Sequence, residues 1–393
     1  MNTVLRQADQ IRPVANRIGS DDEAIATARR LAAQFAARAA ERDADRILPF
    51  TELDLLAQSG LLAITVPAQY GGLDVSNAVL AEVTAILSEA DGSIGQIPQN
   101  HFYILEALRT DGGEEQQRYF FGRVLAGDRF GNALSERGTK TVGHYNTRIT
   151  RDGPGYRING RKFYSTGVLF ADWITIFALD SEDRLTMAFV PKGTEGVEIV
   201  DDWDGFGQRT TGSGTTILDN VYVSADSVVF HHKGFERPTT IGSVGQIIHA
   251  GVDLGIARAA FAETLDFIRT KSRPWMDSGL DRASDDPLTI AKVGQIAIQL
   301  EAATALVERA GHKVDAAQVE TTEEKVVEAT LAVAAAKVLT TEVGSKPQTR
   351  SSSLPEPRRC RPVSISTATG AMHAPIRCTI RCVGNITSSA TTI

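Results

Sequence analysis

From about 21 to 46, apolar positions recur every three or four residues among Ala, Arg and Glu. This predicts an amphipathic helix, and Ser20-Asp21-Asp22-Glu23 supplies its capping start. A second helix is expected over 50–59, ending at Gly60, and Pro67 with Gly71-Gly72 marks the loop that follows. A long helix is expected over 76–90. Asp91-Gly92-Ser93 reads as the entry to another, and helices continue to about 126. At Phe130 the period changes. Short β-rich runs follow over 145–150, 156–160, 185–191, 197–200, 214–218 and 221–223, with turn residues such as Asp152-Gly153-Pro154-Gly155 between them. Helix returns near 240 with a stretch, 247–258, that is apolar nearly all round. Two long Ala-rich helices are then predicted, over 287–316 and 321–343.

The pattern predicts an α+β multidomain chain. Residues 1–125 form an all-α domain, 126–235 a middle β-barrel or sandwich, and 236–343 a helical bundle, leaving 344–393 as a tail of different character. Within the β-domain, 160–174 reads as strand, polar turn and strand. Its turn, Ser165-Thr166-Gly167, offers backbone N–H groups beside two hydroxyls, where a flat heteroaromatic ring with edge acceptors could dock. Such a turn alone is most often only a hairpin.

Composition narrows the classes. With 393 residues, 42% hydrophobic, the chain can bury a sizeable core. A net charge of −7 argues against nucleic acid as a partner. No run of eighteen apolar residues predicts a membrane span, and the N-terminus carries no apolar signal core, so a cytoplasmic protein is expected. All three cysteines, Cys360, Cys378 and Cys382, fall in the tail. The body therefore has no thiolate nucleophile, and no zinc site is expected.

Four motifs occur together: Val66-Pro67-x-x-Tyr70-Gly71-Gly72, Gly131-Asn132-Ala133-Leu134-Ser135-Glu136, Asn159-Gly160-x-Lys162 with Gly167 and Ala171-Asp172, and Leu218-Asp219-Asn220-Val221. In an α–β–α order this resembles the acyl-CoA dehydrogenase superfamily. Asp91-Gly92-Ser93-x-Gly95, the 201–214 segment around Trp203, and Arg273-Pro274-Trp275 are similar to its flavin-dependent monooxygenase branch, which includes dibenzothiophene monooxygenases and sulfur-acquisition oxidoreductases. The resemblance implies reduced FMN from a separate flavin reductase, dioxygen, a C4a-hydroperoxyflavin and a small-molecule sulfur compound as substrate, in a homotetramer or homodimer. It places His101, Asn132 and Ser165 at the reaction, and Asn132, Ser135, Ser165, Thr166, Trp203 and Arg273 at the flavin. His101 would hold or return a proton, Trp203 would wall the pocket, and Arg273 would reach flavin phosphate across a subunit interface. Where the dibenzothiophene enzyme has a histidine and a tyrosine, this chain has Gln96 and Asn100, which implies a smaller substrate than a fused aromatic. The alternatives are an FAD-dependent acyl-CoA dehydrogenase-like enzyme and a truncated relative without activity.

The tail breaks the pattern. From Gly344 on there is no Phe, Trp, Tyr or Asp, and Glu356 is the one acid against seven Lys and Arg. The branch resembled ends with a Thr-His-x-Leu-His-Asp-Pro-Val-like segment that this chain does not show. Reread one frame over with synonymous codons, 377–387 gives Leu-His-Asp-Pro-Val and 350–357 gives Phe-Glu-Leu-Ala-Ala-Gly-Thr. The expectation is a frame-shifted C-terminus, set against a disordered basic tail.

Overall fold

The Ser20 hydroxyl accepts the Glu23 amide at 3.2 Å and Glu23 accepts the Gly19 amide at 2.8 Å, so the first helix starts where its capping residues place it. The computed structural model describes residues 14–141 and 144–345. The helix expected over 21–46 is two: α1 (Asp21–Ala36) and α2 (Ala39–Asp45). The break turns the Arg42 guanidinium inward, onto the Phe35 carbonyl and onto Asp91 and Glu52. α3 (Phe50–Gln58), α4 (Asn77–Ala90), α5 (Gly92–Gln96), α6 (Gln99–Asp111) and α7 (Glu114–Leu125) complete the N-terminal helical part.

Among the described residues eight strands follow: β1 (Phe130–Ala133), β2 (Arg148–Asp152), β3 (Gly155–Lys162), β4 (Trp173–Leu179), β5 (Leu185–Pro191), β6 (Val197–Val200), β7 (Thr215–Ser224) and β8 (Val228–Val229). They form one sheet in the order β6-β7-β3-β2-β4-β5-β8, with β1 parallel to β4. The two strands expected over 214–223 are the single strand β7. β3 runs two residues past its expected end, to Lys162. One face of the sheet closes over Ile149, Ile158, Ile174, Ile176 and Val221. The other turns Phe130, Trp173, Phe177 and Phe189 toward the helices, where Phe120 stacks on Phe189 at 4.1 Å. Each of these rings contributes roughly 2–3 kcal/mol by leaving water, which fixes the sheet against the helical part.

α8 (Ile241–Thr270), α9 (Pro287–Val319) and α10 (Glu323–Ser345) close the fold. α8 is buried along its first half, as its uniform apolarity predicts. The three helices take α4 as a fourth: α4 packs on α8 and α9, and α10 on α8 and α9. Gly251 and Gly255 permit the closest approach, since a Cβ there would lie 2.6 and 2.1 Å from the Ala81 and Ala85 carbonyl oxygens of α4. α9 is long and apolar enough to cross a membrane by length and composition. Its first half leaves Leu288, Ile290 and Ile298 exposed, and α10 leaves Leu331 and Val338 exposed. The frame-shift expectation concerns residues that, beyond Ser345, lie outside those described.

Candidate active site

β3 ends at Lys162 and the chain turns sharply, with Tyr164 at φ 57° and Gly167 at φ 85°, before a 3-10 turn at Val168–Phe170. The segment continuing from β1 is laddered onto this turn. Asn132 donates its amide to the Thr166 carbonyl at 3.1 Å, and Phe163 donates to Ser135 at 2.8 Å. Lys162 clamps the same segment from within: its buried ammonium donates to the Leu134 carbonyl at 3.0 Å and to Glu136 at 2.8 Å. Burial pulls Lys162 down to about 8, against the opposing pull of Glu136.

Glycine brings three segments together here. A Cβ on Gly167 would meet the Ile97 carbonyl at 3.5 Å and Gly131 Cα at 3.7 Å, and one on Gly131 would come within 2.6 Å of Val168 Cα. The turn, β1 and the α5–α6 link therefore converge. They carry a set of buried polar atoms with no hydrogen-bond partner: Gln96 Oε1, Gln99 Oε1, Asn100 Nδ2, Asn132 Oδ1 and Ser165 Oγ. A buried polar group left unpaired costs about 1–3 kcal/mol, and folded proteins leave few. Carried on converging segments, these atoms are free to bond a polar ligand. Sequence reasoning placed Asn132 and Ser165 there and noted Gln96 and Asn100 as departures. It missed Gln99, which carries no signal beyond its position beside Asn100.

The other expected residues fall around this junction in different ways. The Thr166 hydroxyl lies 2.7 Å from Ser213, which lies 2.8 Å from Thr211, so it belongs to a closed hydroxyl chain. Ser135 is half-buried and takes part through its carbonyl. Trp203 is buried beside the turn. Its ring lies 5.7 Å from Tyr164 and 6.3 Å from Phe163, and its indole N–H donates to the Gln208 carbonyl at 3.0 Å. The 201–214 loop it anchors crosses to the helices, where Gln208 reaches the Gly92 carbonyl at 3.4 Å.

His101 is deeply buried, but neither ring nitrogen is free: Nδ1 accepts the Phe130 amide at 3.1 Å and Nε2 donates to the Leu62 carbonyl at 2.9 Å. The expectation that it holds or returns a proton meets this geometry and gives way. Its ring fixes the start of β1 against the helices, and burial pushes it down to about 4, so it stays neutral. Arg273 is exposed in the α8–α9 connection. It lies beyond the far end of a helix that rises about 1.5 Å per residue, so it does not join the cluster of its own chain.

His101 and His249, the latter pushed down to about 3 by burial, make stability depend on pH. Both rings are neutral when folded and titrate near 6.5 when unfolded. Their contribution is complete above pH 6.5 and is lost as pH falls toward 4 and then 3. The His101 shift alone is worth about 3 kcal/mol. Chemical denaturation at pH 7.5 and at pH 5 should show the lower stability at pH 5, with a smaller difference in His101→Gln.

A cavity of about 1020 Å³ lies elsewhere, lined by Asp111, Tyr119, Phe189 and Lys233 among others, and none of the unpaired side chains lines it. Of the carboxylates that line it, Asp111 is already held by His231 at 2.8 Å and Arg237 at 3.1 Å.

Helices, one sheet and helices, with unpaired polar atoms on the segments that converge at the turn after β3, make up a three-part architecture. The N-terminal, middle and C-terminal domains of acyl-CoA dehydrogenases match residues 20–128, 132–221 and 247–348, and the chain belongs to that family. It is 31% identical over 323 residues to a dibenzothiophene monooxygenase of Rhodococcus qingshengii, covering 79% of this chain and 77% of that one. It is 30% identical over 299 residues to a probable FMNH2-dependent monooxygenase, SfnC, of Pseudomonas putida, covering 75% and 74%. FMN-bound TdsC from Paenibacillus sp. A11-2 superposes with a TM-score of 0.78 at 28% identity, over 83% of this chain and 86% of that one. The methanesulfinate monooxygenase MsuC of Pseudomonas fluorescens does so with a TM-score of 0.75 at 29% identity, over 82% and 85%.

Proposed function

We propose that this chain is an FMNH2-dependent monooxygenase that oxygenates a small sulfur compound. The observation that carries the reading is the set of unpaired polar atoms on Gln96, Gln99, Asn100, Asn132 and Ser165, all on the three segments that converge at the turn after β3. The similarity to monooxygenases named for sulfur compounds supports the choice of chemistry. The junction suits FMN. The Ser165 hydroxyl and the Asn132 side-chain amide are neutral groups able to bond the edge of a flavin ring. Reduced FMN bound there, supplied by a separate reductase, would provide the electrons that activate dioxygen. Gln96 and Asn100, on the opposing helix link, are placed to orient the substrate, and neutral amides there suit a small polar sulfur group better than a fused aromatic.

The dehydrogenase reading needs an available carboxylate base. The carboxylates most deeply buried among the described residues are engaged: Glu106 by Thr240 and Gln318, Asp111 by His231 and Arg237, Asp128 by Arg123 and Trp173, Glu136 by Lys162, Asp91 by Arg42, and Asp253 by Lys337 and Thr341. The reading places the protein in the cytoplasm, as a homo-oligomer. Exposed Trp275, Met276, Leu288 and Ile290 surround the connection that carries Arg273, which fits a second copy receiving this arginine at its flavin phosphate.

Asn132→Leu and Ser165→Ala should each weaken FMN binding by about tenfold, the equivalent of one lost polar contact, with thermal stability of the flavin-free protein unchanged or raised. Fluorescence titration with FMN checks this. Unchanged affinity in both variants would remove the cluster from the flavin site.

A further inference from the structure

Among the other buried side chains with an unbonded polar atom, which include Thr65, Ser88, Thr175 and Thr216, His249 alone has two, and no expectation assigned it. His249 lies in the buried half of α8 with both Nδ1 and Nε2 unbonded. An imidazole always carries one N–H, so both a donor and an acceptor are left unused.

Its neighbours along the helix show where it faces. Residues 245, 249 and 256 share one stripe at helical spacing. At one end, a Cβ on Gly245 would meet the Tyr103 ring of α6 at 3.1 Å. At the other, the Ile256 side chain lies 3.3 Å from where a Cβ on Gly92 of α5 would be. The stripe therefore runs antiparallel to α5 and α6, and His249 falls at the level of Gln96, Gln99 and Asn100, between this side and the side of α10 to which Asp253, one turn on, is directed. Gly251 and Gly255 occupy a different face, turned to α4. Asp253 turns to α10, where it accepts Lys337 at 2.6 Å and Thr341 at 2.5 Å. Lys337 is the charged group acting on His249, and with desolvation it keeps the ring neutral.

We propose that His249 lines the substrate end of the active site and, with Asn100, hydrogen-bonds an oxygen of a sulfoxide, sulfone or sulfinate group held there. The inference rests on the monooxygenase reading and supplies the wall that Asn132 and Ser165 lack. The two histidines divide the work: His101 is locked to backbone and shapes the site, and His249 meets its contents. A histidine kept for packing would gain nothing from two unbonded nitrogens, whereas one kept for a ligand holds them in reserve.

The test uses the full chain loaded with FMN, with dimethyl sulfone and methanesulfinate as probes. The ring nitrogens of 15N-labelled histidines are followed by NMR, assigned through His249→Leu and His101→Gln. FMN loading or either probe should shift the His249 signals and leave those of His101 in place. His249→Leu should fold with equal or higher thermal stability, because it removes two unsatisfied buried groups. It should retain FMN affinity, and it should bind the probe that shifts wild type at least tenfold more weakly. His249 signals unmoved by FMN and by both probes, or probe affinity unchanged in His249→Leu, would overturn the proposal and leave a core histidine. Failure of wild type to bind FMN at all would instead overturn the monooxygenase reading.

Discussion

Arg42→Met is expected to lower folding stability by roughly 3–5 kcal/mol, the cost of leaving buried carboxylates without their cation. Arg42 is nearly fully buried and donates to Asp91 at 2.8 Å and to Glu52 at 2.9 Å. Asp91 in turn caps α5, its other oxygen accepting the Ser93 and Ile94 amides at 3.0 and 3.1 Å. α5 ends at Gln96, so the ion pair sets where the helical wall of the active site begins. The loss should therefore appear twice, as a lower denaturant midpoint and as weaker FMN binding. Asp91→Asn keeps an oxygen for the cap and removes one of the two stranded charges. Combined with Arg42→Met it should recover a large part of the stability. If the double variant is no more stable than Arg42→Met, the uncompensated charge on Asp91 is not the source of the loss.

Gly131→Ala should cost FMN affinity about a hundredfold. The added methyl would lie 2.6 Å from Val168 Cα, 2.8 Å from Val168 N and 2.9 Å from Ala171 Cβ. Two of these are backbone atoms, which no side-chain rotation can move aside. Overpacking of this kind costs typically 1–3 kcal/mol, and here the strain falls on the turn that presents Ser165. The turn or β1 must shift, separating Ser165 from Asn132 and from Ile97. Gly122→Ala is the control. It lies inside α7 with nothing within 4 Å of the new methyl, so stability should rise by about 0.5–1 kcal/mol with FMN binding unchanged. Equal FMN affinity in wild type and Gly131→Ala would show that the close approach at Gly131 does not shape the site.

The fold was largely legible because its elements announce themselves locally. Ser20 and Asp91 are cap residues that cap, Gly60 follows the end of α3, Pro67 opens and Gly71 ends a short 3-10 turn, and the period changes at Phe130 where β1 begins. The misreadings came where a distant partner decided. The helix over 21–46 is broken so that Arg42 can reach Asp91, forty-nine residues away, a contact that no local periodicity encodes. Strand β7 continues past Asp219-Asn220, where Asn220 takes φ 53° and the register with β3 shifts, because β3 pairs with it on both sides of that irregularity, at Leu218 and again from Val221.

The site was legible in part for the same reason. Asn132, Ser165 and Thr166 sit in motifs whose turn chemistry is local. His101 looked like a proton carrier because a histidine's residue type shows its chemistry and not its bonds, and the structure spends both nitrogens on Phe130 and Leu62. His249 was hidden by its surroundings: within Ile247-Ile248-His249-Ala250-Gly251-Val252 it passed as one polar residue in an apolar helix. That isolation was itself the signal, since a lone imidazole needs a partner which the helix does not provide.

The central claim is that the junction of Asn132, Ser165 and the α5–α6 link binds reduced FMN and directs oxygen onto sulfur. The most direct measurement loads the protein with reduced FMN without oxygen and then admits 18O2 with dimethyl sulfone or methanesulfinate present. The product is analysed by mass spectrometry and peroxide is measured in parallel. The account predicts one labelled oxygen in a product from at least one of these compounds, with peroxide reduced relative to free FMN. Reduced FMN bound at the site, but reoxidised with all its electrons recovered as peroxide and no label in either compound, would contradict it.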